Sequence, residues 1–213
     1  MKKYYAVLDT NILVSSLLSS HKGSAIDAIW DYVATGTIIP MVNDEILAEY
    51  ADVLYRNKFG FLRDVVDGAL ATVKEKALYC ERRPGTSVVT DPDDIVFYEV
   101  ALSREDSYLI TGNLKHFPKN GRIVSPAEMI QIIELSENTT GILNDPDVDY
   151  MTEKKKQLLQ NEQELIERAR RATEQIRAQA ILNGTANMSM EEIIEEIRLA
   201  RLERRAQLAE KKE

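Results

Sequence analysis

The sequence predicts an α/β protein, a parallel sheet covered by helices on both faces, followed by a separate helical extension. Three observations point there. Short β-favouring runs alternate with longer helical patterns, and no tight hairpin signal separates them, which is the signature of a parallel sheet. All fourteen aromatic residues and all six prolines lie within residues 1–150, so the chain changes character near that point. Acidic residues stand directly behind strand patterns, where such folds hold their ligands.

The elements follow in order. Tyr4 to Leu8 reads as a buried strand, an apolar helix starts over Asn11 to Leu18, and an amphipathic helix runs from about Ser24 to Ala34, ended by Gly36. Thr37 to Val42 is a second strand; Asp44 to Tyr55 and Phe61 to Tyr79 are helical, with Leu47, Ala48, Ala51 and Leu54 spaced for burial on one face. A helix follows Pro92, which is tolerated in a first turn. Tyr108 to Thr111 and Arg122 to Val124 are strands, and Pro126 opens a helix to about Glu134.

From Met151 to Glu213 there is no aromatic and no proline, too little to form a core alone. Leu158, Leu165, Ala169, Ala172, Ile176 and Ala180 recur at mostly helical spacing, giving one helix over about Thr152 to Leu182 that Asn183-Gly184 stops. Ser189-Met190-Glu191-Glu192 is a capping box for a second helix with Ile193, Ile194 and Ile197 on its apolar face. Both helices need a surface to lie against. The expected organisation is a domain over 1–144, a linker over 145–150 marked by Asn144-Asp145-Pro146-Asp147, and a helical extension over 151–213.

The net charge of −8 makes the chain acidic, and residues 1–150 carry 14 Lys and Arg against 23 Asp and Glu. A nucleic-acid partner would therefore have to be met by local basic patches. The single Cys80 excludes an internal disulfide and points to a reducing, cytoplasmic setting. Asp9, Thr10 and Asn11 interrupt the apolar run behind Lys2 and Lys3, so neither a signal peptide nor a membrane span is expected.

Three groups of carboxylates could carry chemistry. Asp9 directly follows the first strand, with Thr10 and Asn11 able to tie the turn through side-chain hydrogen bonds. Glu45 and Glu49 follow the second strand, four residues apart on one helical face. Asp91, Asp93 and Asp94 crowd a helix start, a repulsion that a cation would relieve. Acids from three strand ends are how an oxygen-ligated Mg²⁺ or Mn²⁺ site is assembled, and its chemistry suits phosphodiester hydrolysis. Zinc does not fit one cysteine and two distant histidines, His21 and His116, and there is no phosphate-binding glycine loop, dinucleotide fingerprint or serine nucleophile elbow. A phospho-accepting receiver domain expects paired acids after the first strand, whereas Asp9 stands alone.

The strings Val7-Leu8-Asp9-Thr10-Asn11-Ile12-Leu13, Val42 to Tyr50, Asp91-Pro92-Asp93-Asp94 and Ile110-Thr111-Gly112-Asn113-Leu114-Lys115-His116-Phe117-Pro118, in that order, resemble the PIN-domain family over residues 3 to about 135. More closely, they are similar to the ribonuclease toxins of bacterial type II toxin-antitoxin systems. The resemblance implies a three-layer α/β/α fold and metal-dependent endonuclease activity on RNA. It places the catalytic acids on Asp9, Glu49 and Asp94, the same three as Mg²⁺ or Mn²⁺ ligands, with Glu45 as the alternative to Glu49. Thr10, Asn11, Asp91, Asp93 and Thr111 take supporting positions. Asn113 stands where many members carry a further aspartate, and so brings no charge. Lys115 and His116 beside that motif could contact RNA, with Lys119 and Arg122 extending the patch.

The segment from Asn187 to Arg205 is similar to the ends of small antitoxins. That likeness implies a nuclease carrying its own inhibitor, with an arginine among Arg201, Arg204 and Arg205 neutralising the acidic pocket. Expected partners are an RNA substrate, an antitoxin either separate or fused, and a second copy of the chain. The competing expectation is a catalytically weak RNA-binding or scaffold module, or a tail that serves as a dimerisation arm.

Overall fold

The computed structural model describes residues 2–19, 23–140 and 153–210. His21, the linker expected at 145–150 with its Asn144-Asp145-Pro146-Asp147 turn, and Met151 lie outside the described residues, as does the Leu158 side chain. Five parallel strands form one sheet: β1 (Tyr4–Leu8), β2 (Ile38–Val42), β3 (Leu78–Tyr79), β4 (Ser107–Ile110) and β5 (Ile123–Val124), in the order β3-β2-β1-β4-β5. The chain moves outward from β1 to β3, then restarts on the other side at β4. The direction of winding therefore reverses between β1 and β4, where Leu8 pairs with Ile110. That reversal opens a crevice at the strands' carboxyl ends.

The two faces of the sheet separate by alternation along each strand. Tyr4, Ala6 and Leu8 cluster with Ile29 and Val33 of α2 (Ala25–Ala34) and with Met129 and Ile133 of α6 (Pro126–Thr140). Val7, Met41 and Leu109 cluster instead with Ile46, Tyr50 and Val53 of α3 (Asp44–Leu54) and with Phe97 and Val100 of α5 (Ile95–Leu102). Helices thus cover both faces, as expected. Local signals start them: Ser24 accepts a hydrogen bond from the Asp27 amide at 3.2 Å, and Asn43 accepts one from Ile46 at 2.9 Å.

Two boundaries differ from expectation. The helix placed over Phe61 to Tyr79 is α4 (Arg63–Lys76), and Leu78–Tyr79 pair with Met41 and Val42 as an edge strand. A two-residue strand is too short to show any period, and its identity comes from the β2 edge beside it. Helix α6 runs on to Thr140 because no breaker precedes Gly141.

The extension forms α7 (Glu153–Leu182) and α8 (Met190–Glu210). Gly184 takes a φ of 72° just past α7, the left-handed conformation that glycine adopts without strain. The capping box is formed, with the Ser189 amide donating to Glu192 Oε2 at 2.7 Å and the Glu192 amide donating to Ser189 Oγ at 3.2 Å. Helix α7 packs on α4, α1 (Thr10–Leu18) and α2, and α8 packs on α1 and α3. Ala169, Ala172, Ile176, Ala180, Ile193, Ile197 and Ala200 are buried, the last five of these within the same cluster as the sheet residues. Polar contacts register the tail: Asn183 Nδ2 donates to Phe59 O at 2.8 Å, Arg56 pairs with Glu196 and Glu203, and Arg177 pairs with Asp27. The surface that these helices need is supplied by α1, α2, α3 and α4. Among the described residues, no helix is long and apolar enough to cross a membrane.

Replacing fully buried Ile176 by alanine is expected to cost about 2–5 kcal/mol in urea unfolding of the full chain. Ile181→Ala, at a residue 63% exposed one turn later, should stay within about 0.5 kcal/mol. Equal, small effects at both positions would mean that α7 is not packed as described.

Candidate active site and metal centre

Asp9 leaves β1 at its carboxyl end and caps α1, accepting from the Asn11 amide at 3.3 Å. Its other oxygen accepts from Thr111 Oγ1, at the end of β4, at 2.6 Å. The backbone strengthens the joint: the Asp9 amide donates to Ile110 O at 2.9 Å, and the Gly112 amide donates to Asn11 Oδ1 at 3.1 Å. Asp9, Asn11 and Thr111 therefore hold the two strand ends at the topological reversal.

Glu49 reaches the same place from α3. The Tyr50 hydroxyl donates to Leu8 O, anchoring α3 against the end of β1, and Thr10 Oγ1 donates to Glu49 Oε1 at 2.7 Å. Asp91 caps a 3₁₀ turn at Pro92–Asp94 by accepting from the Asp93 amide at 3.0 Å, and the turn delivers buried Asp94 to the cleft. Pro92 suits that first turn because its missing N–H would have had no helical partner.

The loop after β4 supplies a histidine link. His116 Nδ1 lies 2.8 Å from Asp94 Oδ2, and His116 Nε2 lies 2.8 Å from Asn113 Nδ2. With the amide nitrogen donating, Nε2 accepts and Nδ1 carries the proton that Asp94 receives as a hydrogen bond. His116 thus turns into the cleft and makes hydrogen bonds to Asp94 and Asn113.

A cation from the tail sits among these acids. Arg201 of α8 donates to Glu49 through Nε at 3.1 Å and Nη2 at 2.8 Å, donates to Asp94 Oδ1 at 2.9 Å, and places Nη1 3.6 Å from Asp91 Oδ2. Arg205 pairs with Asp93, and Arg204 pairs with Asp52 at 3.1 Å on the adjoining face of α3. Of the three arginines expected to neutralise the pocket, Arg201 enters it, Arg205 meets its rim and Arg204 lies beside it. Met190 closes the other side, its Sδ accepting from Ser15 at 3.9 Å, and a side chain at Gly112 would meet its Cε at 2.9 Å.

Electrostatics match this crowding. Burial, then the charge of Asp94, pushes Asp9 up to about 7, against the opposing pull of Thr111, Arg201 and Asn11. Burial alone would lower Arg201, but Glu49 and Asp94 outweigh it and hold the guanidinium above its ordinary value. The donor set fits a divalent cation. Ligand atoms of Asp91, Asp94 and His116 lie within 4.8 Å of one another, and the guanidinium already stands in for positive charge between Glu49 and Asp94. Carboxylate oxygens suit Mg²⁺ or Mn²⁺ better than a soft metal, and His116, with both ring nitrogens hydrogen-bonded, stands beside them as an orienting group.

Other expected residues lie elsewhere. Glu45 pairs with Arg82, which also holds Glu99, and Glu49 is the α3 glutamate that Arg201 binds. Arg122 donates to Arg104 O and Glu105 O and does not extend the basic patch, while Lys115 and Lys119 are exposed. Tyr50, whose hydroxyl sets the α3 position, was not legible as a site residue because its role is a backbone contact across 42 residues of sequence.

A protein-family model described as PIN domain matches residues 5–115, just over half of the chain. Curated proteins and solved structures gave no match.

Because Asp9 binds its proton more tightly in the folded state, the metal-free protein should lose stability through this group as pH rises from about 4 to about 7. The Asp9→Asn variant should lack that part of the pH dependence in urea unfolding with EDTA present. A slope unchanged by the substitution would contradict the burial assigned to this carboxylate.

Proposed function

We propose, for a chain that belongs to the PIN-domain family, that it is a metal-dependent endoribonuclease of toxin type whose C-terminal helices hold it inactive. The family in general comprises metal-dependent nucleases, and this chain's acids stand at the strand ends that such chemistry uses. The observation that carries the reading is Arg201, which binds Glu49 and Asp94 together. A metal ion cannot occupy those oxygens while the guanidinium does.

With Arg201 withdrawn, Glu49, Asp94 and Asp91 present oxygens to a Mg²⁺ or Mn²⁺ ion. A divalent ion held there would supply a bound water of lowered pKa and positive charge for a phosphodiester. Asp9 completes the acidic wall, and Thr10 and Thr111 fix the oxygens of Glu49 and Asp9 through their hydroxyls. His116 keeps Asp94 oriented, and Asn113 keeps His116 in one tautomer. Asn113 thereby serves as a hydrogen-bonding group where a fourth carboxylate would add charge.

The tail takes the part of an antitoxin in cis. Tethering sets its effective concentration at about the millimolar level, so a docked state needs only modest intrinsic affinity. A catalytically weak RNA-binding module is the second reading, favoured by the uncharged Asn113 and its commitment to His116.

Cleavage of an RNA panel with Mg²⁺ or Mn²⁺ separates the two. The full chain should be nearly silent, Arg201→Ala should cleave at least about tenfold faster, and adding Asp9→Asn should remove that gain. Metal-dependent RNA binding without cleavage in folded Arg201→Ala would favour the second reading.

A further inference from the structure

The joint between α7 and α8 carries two methionines for which the acidic site has no use. Met188 lies in the connection, and Met190 opens α8 directly after its Ser189 cap. Both are half-buried, whereas Met41 and Met129 are fully buried in the two clusters beside the sheet. A cleft of about 300 Å³ adjoins the joint, lined by Met188 and Met190 together with Ser15, Leu18 and Ile193. Water-sized molecules fit there, and hydrogen peroxide is little larger than water.

The placement of Met190 gives its oxidation a consequence. It stands 11 residues before Arg201, about three helical turns, so the two side chains leave the same face of α8 with Ile193 and Ile197 between them. Its thioether fills the space over Gly112, where an added Cβ would stand 2.9 Å from Cε and 3.1 Å from Sδ. Ser15 Oγ lies 3.9 Å from Sδ on another side and donates to Asn11 O at 2.6 Å. Met190 also packs on the cluster that contains Leu8, Ile12 and Ile110. An oxygen added to this sulfur would press on the Gly112 backbone or enter an apolar contact, and burying a polar group there is unfavourable.

We propose that Met190 is a peroxide-sensitive modification site whose oxidation to the sulfoxide lifts the start of α8 and withdraws Arg201 from Glu49 and Asp94. A sulfur lone pair attacks one peroxide oxygen, the O–O bond breaks and the S–O bond forms. The proton on the transferred oxygen passes to the departing hydroxide, which leaves as water. Sulfur is oxidised by one electron pair and the peroxide is reduced by the same pair. Methionine sulfoxide reductases reverse this lesion, so the joint can be reset. The proposal rests on the reading of the tail as an inhibitor for its effect on RNA cleavage, while the release of α8 is a separate, directly measurable event.

The test treats the full chain with hydrogen peroxide, maps sulfoxides by mass spectrometry and follows amide hydrogen exchange along α8. Sulfoxide is expected at Met190 before Met41 or Met129, with α8 amides exchanging at least about tenfold faster, and a reductase should restore their protection. Met190→Leu, close in volume and without a sulfur to oxidise, should keep α8 protected after the same treatment. Sulfoxide at Met190 with unchanged exchange would overturn the proposal. So would equal loosening of α8 in Met190→Leu, or a Met190 that resists peroxide while free methionine is consumed. Cleavage separates the two readings. If Arg201→Ala cuts RNA and peroxide leaves α8 docked, the switch fails and the nuclease stands. If peroxide frees α8 and neither the oxidised chain nor Arg201→Ala cuts, the nuclease reading fails and the switch stands.

Discussion

Mutual repulsion among Asp9, Glu49, Asp91 and Asp94 is the constraint that organises this molecule. Four carboxylates brought to one end of a parallel sheet cannot all stay charged in a buried cleft without a cation. Asp9 responds by holding its proton up to about 7. Thr10, Thr111 and His116 respond by hydrogen-bonding individual oxygens of Glu49, Asp9 and Asp94. Arg201 responds with a full positive charge, bridging Glu49 and Asp94. A guanidinium suits the task because its planar fork meets two carboxylates at once and cannot lose its proton.

The same constraint explains the tail's position. Helix α8 buries Ile193, Ile197 and Ala200 against the main core, and four residues past Ile197 its register delivers Arg201 to the acids. Arg205, one turn later, reaches Asp93 at the rim. Apolar packing thus positions the charge, and the charge offsets the repulsion that the fold creates. Breaking a buried pair by removing one member typically costs about 3–5 kcal/mol, so an incoming cation must replace what the arginine contributes. On the proposed reading, arginine binding and metal binding are competing uses of one set of oxygens.

Much of this was legible in the sequence because it is local. Asp9 behind β1, the Asp91 to Asp94 turn, the Ser189 capping box and the α7 stripe all arise from short-range patterns of residue type and spacing. What could not be read depends on partners distant along the chain. Strand β3 exists only as an addition to the edge of β2. Glu45 and Glu49 look equivalent along the helix, and Arg82 and Thr10, contributed by other elements, separate them. The His116 ring finds its partner in Asp94, 22 residues earlier. Among Arg201, Arg204 and Arg205, helix phase against α3 selects the one that enters the cleft.

Mn²⁺ binding, followed by electron paramagnetic resonance or calorimetry, addresses the competition between arginine and cation most directly. The full chain and Arg204→Ala should bind Mn²⁺ weakly and alike, and Arg201→Ala should bind at least about tenfold more tightly, because the arginine and the ion claim the same oxygens. Equal Mn²⁺ affinity in the full chain and in folded Arg201→Ala would contradict the assignment of Arg201 to the metal site.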